Sequence, residues 1–194
     1  MVTHKPAGGP KREMRMSGGG DSIQLVPGRA CGDCSLCCKL LAIDALNKPA
    51  GSWCLHCAPG RGCAIYADRP AECRTFHCCW LTTPNLGPEW RPTKSKMVLY
   101  VEGEKNVLAI RVDPGDPGAW RREPYFRQLK GYAIAEADRM RVVVYVNNRL
   151  IVILPNKEVD LGVMQPGDQL LVRETRTQNG RDWVAFLEPA PGER

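Results

Sequence analysis

Apolar and polar positions alternate most cleanly in the C-terminal half of the chain. Met97–Val101 and Asn106–Val112 read as two short strands around a turn at Glu102-Gly103. The breaker-rich run Asp113-Pro114-Gly115-Asp116-Pro117-Gly118 is a loop, and its aspartates are ordinary turn residues. Beyond it, Phe126, Leu129, Ala133 and Ala137 recur at helical spacing, with Arg127, Lys130 and Glu136 off that face and Pro124 suited to the first turn. Val142–Val146 and Leu150–Leu154 are β-branched runs flanking Asn147-Asn148-Arg149, which predicts a hairpin. A second hairpin is predicted from Leu170–Thr175 and Asp182–Leu187 around Asn179-Gly180. The pattern gives residues 93–194 as a small α+β domain, an antiparallel sheet with one helix.

Residues 31–92 follow no such period. Apart from cysteine, most of their large apolar residues are Leu36, Leu40, Leu41, Ile43, Leu46, Trp53, Leu55, Ile65, Phe76 and Trp80. A segment of roughly 60 residues is marginal on apolar burial alone and usually needs metal or cross-links. This one holds all ten cysteines of the chain. They run Cys31-x2-Cys34-x2-Cys37-Cys38, then Cys54-x2-Cys57-x5-Cys63-x9-Cys73-x4-Cys78-Cys79. A structural zinc supplies about 10–16 kcal/mol of apparent folding free energy. The expectation is therefore a small metal-stabilised Cys-rich N-terminal module packed with the C-terminal sheet and helix. Residues 1–30 are rich in Gly, Pro and basic side chains without a hydrophobic period, which predicts a disordered tail.

Cys-x2-Cys lets two thiolates on a tight turn reach one metal, and Cys31/Cys34, Cys34/Cys37 and Cys54/Cys57 all have that spacing. The doublets Cys37-Cys38 and Cys78-Cys79 differ, because adjacent side chains diverge. Each doublet implies either two neighbouring centres or one ligand beside one packed thiol, with Cys79 the first candidate for the core. Cys73 follows Arg69-Pro70-Ala71-Glu72, so it is expected in the first turn of a short helix, beside Arg69 and Arg74, where the thiolate is favoured. His56 and His77 each stand one residue from a cysteine and are either ligands or hydrogen-bond donors beside the site.

The run CGDCSLCCKLL, together with CLHCAPGRGCAIYADRPAECRTFHCCWL, resembles the YkgJ-type cysteine-cluster family over residues 31–81. That family is described as a zinc- or iron-chelating domain with a Cys-x2-Cys-x2-Cys-Cys signature. The resemblance implies that Cys31, Cys34, Cys37, Cys38, Cys63, Cys73 and Cys78 occupy the family's cysteine positions. Cys54 and Cys57 match the subset with a Cys-x2-Cys middle segment, and Cys79 is additional. Nine residues are thus the candidate metal ligands, Cys31, Cys34, Cys37, Cys38, Cys54, Cys57, Cys63, Cys73 and Cys78. Related clusters, by resemblance to flagellin lysine-N-methylases, also occur beside protein methylation machinery. This chain, however, carries no Gly-rich nucleotide loop and no catalytic motif in its C-terminal half.

The expected cofactor is an iron–sulfur cluster or Zn²⁺, since all-thiolate sites suit both. The fourth cysteine directly follows the third, unlike the ferredoxin spacing, so Cys38 is not expected to join a cluster in ferredoxin fashion. A disulfide framework wants an exported chain, and the N-terminus has no apolar segment of the kind that directs secretion. Radical chemistry on S-adenosylmethionine needs Cys-x3-Cys-x2-Cys, which is absent. No apolar run is long enough to span a membrane, and the reducing cytosol is the expected compartment.

The formal charge of +6 weighs little towards nucleic acid. Residues 1–30 carry five of the basic side chains against two acidic ones, and metal-bound thiolates cancel much of the rest. The function expected is metal holding or delivery, redox work or sensing. The rivals are a zinc-folded module whose C-terminal domain binds a protein partner, or an accessory of a modification enzyme.

Overall fold

A computed structural model describes residues 23–103, 106–178 and 180–189. The fold is α+β. The cysteine-bearing part is short elements on tight turns, comprising α1 (Leu36–Leu40), β1 (Cys57–Ala58), β2 (Gly62–Cys63), α2 (Ala71–Thr75), α3 (Cys79–Thr82) and α4 (Pro92–Ser95). It is followed by β3 (Met97–Glu102), β4 (Val107–Val112), α5 (Tyr125–Ala135), β5 (Arg141–Val146), β6 (Arg149–Ile153) and β7 (Glu158–Val163). A long hairpin of β8 (Gln169–Thr177) and β9 (Gly180–Glu188) completes the chain.

Strands β3-β4-β5-β6-β7 form one sheet in sequence order. It is mixed where the alternation pattern predicted antiparallel, because β4 and β5 pair in parallel. Parallel neighbours need a crossover, and α5 is that crossover, so the helix and the parallel pair are one structural decision. Strand β7 had no counterpart in the sequence reading. Its segment EVDLGV carries two acidic residues and a glycine and forms an edge, with a register shift opposite Leu150/Ile151.

Period-2 alternation sends the strands' side chains to two faces. Rows such as Leu99-Ile110-Val144-Ile151 line one face, where Trp90, Trp120, Leu129 and Ala133 cover them. Of the helical positions, Leu129 and Ala133 are buried and Phe126 packs partly. Ala137 lies beyond the helix end and joins the core of the other face. Lys130, expected to point away, instead donates through Nζ to the Leu154 carbonyl at 2.6 Å.

The opposite face is shared. Val143, Leu150 and Val152 are covered by the β8–β9 hairpin through Trp183. At the β3 end, Val98 and Tyr100 are covered by Leu36, Leu40, Phe76, Cys78 and Leu81 of the cysteine region. The hairpin closes between Thr177 and Gly180, and of its expected turn pair Asn179 lies outside the described residues. So does most of the predicted N-terminal tail, but its described end is part of the fold. Val26 N–H donates to Leu81 O, and the Arg29 guanidinium caps the end of α3 by donating to Trp80 O and Leu86 O at 2.5 and 2.7 Å. Among the described residues no helix is long and apolar enough to cross a membrane.

A thiol-lined cavity as candidate metal centre

Each cysteine loop is a hydrogen-bonded turn. Cys34 N–H donates to Cys31 O at 2.7 Å, Cys38 N–H to Ser35 O at 3.0 Å, and Cys57 N–H to Cys54 O at 3.0 Å. Cys54 N–H reaches Cys38 O at 3.1 Å and ties the two Cys-x2-Cys segments together. Their backbones also meet at Gly62, which has φ +100, and a Cβ built there would stand 2.6 Å from Gly32 O. Only glycine combines that backbone with that approach. Glu72 closes the ring from the other side, accepting from the backbone N–H groups of Ala45 and Asp44. It caps the turn at Asp44–Leu46.

These loops surround a cavity of about 230 Å³. Eight of the ten cysteines line it, namely Cys31, Cys34, Cys37, Cys38, Cys54, Cys63, Cys73 and Cys78. The remaining wall is largely apolar, including Ile43, Ile65, Phe76 and Leu81. Two cysteines stand elsewhere. Cys57 is hydrogen-bonded to Ser35 and Cys38 off the cavity wall, although it was a candidate ligand and pairs with Cys63 across β1–β2. Cys79 turns the other way into the main core beside Leu86 and Trp90, as the doublet geometry requires. His56 lines the cavity, whereas His77 is off it and its Nδ1 lies 3.0 Å from Thr75 O.

All ten thiols are free. Among the described residues no group of three or more His, Cys, Asp or Glu side chains is arranged to hold a metal ion. The thiols ring a space without converging on one point.

Seven of these thiols are raised above their ordinary value, with burial the leading cause for all but Cys38. Burial pushes Cys78 up to about 11, against backbone N–H groups of Leu81 and Trp80 that donate to its sulfur. Burial raises Cys34 too, opposed by donation from the Leu36 and Thr93 amides. Cys38 is driven far up by its hydrogen bond with Cys37 and then by burial. Cys73 departs from expectation. Burial and the neighbouring Cys38 raise it where a helix start was expected to lower it, because α2 has only five residues and thiols surround it. The Arg69 charge acts on Cys31 instead.

Two buried donors on the cavity wall have no protein acceptor, Arg69 Nε and Trp80 Nε1. The guanidinium groups of Arg29 and Arg91 stand 5.2 and 5.7 Å from the centre of the Trp80 ring. Orphaned N–H groups, amides donating to sulfur and nearby cations all suit an anionic sulfur-rich group, so the donor set fits a metal–thiolate centre. Sequence reasoning missed Trp80 as a donor. Nothing in its local sequence marks it, since it matters only through what it stands beside.

No family model matches the chain, nor does any curated protein or solved structure.

Proposed function

We propose that this chain is a metal-binding protein whose cysteine cavity holds an iron–sulfur cluster, with zinc as the alternative occupant, for electron transfer, sensing or metal delivery. The observation that carries this reading is the lining of one apolar-walled cavity by eight cysteines. The eight lining thiols exceed the four that one zinc takes, and a space of about 230 Å³ has room for a group of several metal and sulfur atoms. The resemblance to the YkgJ-type cysteine-cluster family supports the same chemistry.

When bound, such a centre supplies single-electron exchange or a metal held for transfer. The chain's own residues shield it with Ile43, Ile65, Phe76 and Leu81, and donate to its sulfurs from the Leu36 and Thr93 amides at Cys34 and the Leu81 and Trp80 amides at Cys78. The cytosol, where thiols stay reduced, is the setting in which this donor set works.

Anaerobic purification followed by iron, sulfide and zinc analysis and an absorption spectrum tests the reading. Near-stoichiometric iron and sulfide with a broad band near ~400 nm, as thiolate-ligated clusters give, supports the cluster. One or two colourless zinc per chain moves the reading to zinc. Metal-free protein with its thiols oxidised in pairs overturns it.

A further inference from the structure

We infer that Cys57 and Cys63 are a redox-active dithiol, closed to a disulfide by a low-molecular-weight disulfide of the oxidised-glutathione class, and that closure withdraws Cys63 from the cavity. Only the consequence for a bound metal rests on the metal-centre reading. The pair is set by backbone geometry. In the β1–β2 hairpin Cys57 stands directly opposite Cys63, and Ala58 opposite Gly62. Ala64 N–H donates to His56 O at 2.8 Å, so 56/64 is a hydrogen-bonded pair and 57/63, one step in, is a non-hydrogen-bonded one. Such pairs bring Cα atoms to about 4.5 Å with both side chains on one face. That separation lies inside the roughly 4.4–6.8 Å that a disulfide spans. The turn closed by Arg61 N–H on Ala58 O at 2.8 Å holds this register, with five residues between the two cysteines.

The two thiols have different surroundings. Both are reduced and partly exposed, whereas Cys54, near them in sequence, is only 7% exposed. Cys63 lines the cavity and Cys57 does not. Residues 59–61 beside Cys57 are exposed and Leu55 is 98% exposed, so a small disulfide can approach it. The Cys57 thiol leans on Ser35 and Cys38 in the reduced fold, and closure requires rotation about its Cα–Cβ bond. The Cys57 thiolate attacks one sulfur of the oxidant, forming a mixed disulfide and releasing one small thiol. The Cys63 thiolate then attacks Cys57 Sγ, closing the protein disulfide and releasing the second small thiol. The two electrons and both thiol protons end on the two released thiols. Cytosolic disulfides are mostly transient and redox-sensing, and this one takes a wall thiol away from the proposed centre.

The test equilibrates full-length protein, purified anaerobically, with glutathione buffers of rising oxidised fraction, traps free thiols by alkylation and maps disulfides by mass spectrometry. Trypsin cuts after Arg61, so a Cys57–Cys63 bond joins two peptides. That bond is expected to form first, while the other thiols still take the alkylating label. First closure of Cys57 with Cys54 or Cys38, or of a pair without Cys57, overturns the inference. So does an equal yield of the Cys57–Cys63 bond from protein unfolded in denaturant, since the preference would then come from chain proximity alone. A second arm loads reduced protein with zinc(II), adds oxidised glutathione and follows release with a chromophoric chelator. Cys57→Ser should release its bound zinc about tenfold more slowly than wild type. Equal rates overturn the withdrawal of Cys63 from the centre. Wild type that takes up neither zinc nor iron sinks the metal reading itself, and the peptide map alone then decides the dithiol.

Discussion

The two halves of this molecule fill their centres differently. Behind β3–β6 the space is packed with side chains, and Met97, Ile110, Leu129, Val144 and Val152 have essentially no exposed surface. In the cysteine region the centre is a cavity walled by thiols, and Leu55 and Trp53 beside it are exposed. One half is specified by apolar alternation. The other is specified by where its sulfurs sit, and its apolar residues mainly attach it to the sheet through Leu36, Leu40 and Leu81. On the proposed metal reading, a region built that way depends on what its sulfurs hold.

Stripping metal should therefore separate the halves, and this is the largest effect expected. Hydrogen exchange after chelation under reducing conditions should expose the amides of residues 31–75 while those of β3–β6 stay protected. Loss of protection in both halves together would mean that the Val98 contact makes them one folding unit.

Next in size, Leu129→Ala removes a fully buried side chain from the sheet core. It should cost about 2–5 kcal/mol in denaturant unfolding and leave metal content unchanged. Cys54→Ala should do the opposite, lowering metal content with little effect on the sheet. Cys79→Ala, although within the cysteine cluster by sequence, should behave like a mild core mutation of about 1 kcal/mol with metal retained.

The pH responses should have opposite signs with and without metal. In the metal-free fold burial holds Cys57 and Cys78 at about 11 and Cys79 at about 12, above the ordinary thiol value of 9.0. Their stabilisation is complete below pH 9.0 and is lost as pH rises through 11 to 12. Loaded protein, whose thiolates must stay deprotonated, should instead lose metal as pH falls. Thermal melts of both forms across pH check this, and curves of one shape would contradict it.

The smallest effect belongs to the join between the halves. Lys39 Nζ on α1 sits 2.6 Å from Asp113 Oδ1 in the loop after β4. Burial raises that carboxyl, but hydrogen bonds from Lys39 and the Gly115 amide outweigh it and hold it below the usual carboxylate range. Asp113→Asn should cost about 1 kcal/mol or less, because the pair is partly exposed. A much larger loss, with slower metal uptake, would make the loop part of the site.

Much of the C-terminal half was legible in its residues. Both hairpins, the β3–β4 pair and the helix carrying Leu129 and Ala133 follow from periods of 2 and 3.6, because local alternation already encodes which face is buried. The same reading missed β7 and the parallel β4–β5 pair. An edge strand half in water has weak alternation, and strand partnership is settled by the crossover and by nothing within either strand. In the cysteine region the sequence by itself determined that sulfur, rather than apolar packing, defines the centre, since ten cysteines in so short a span leave a small segment little else to build with. Which sulfurs share a space was decided only by the tertiary structure. Tight turns and the Gly32–Gly62 approach bring eight together, while the backbone direction at the 78–79 doublet sends Cys79 into the other core.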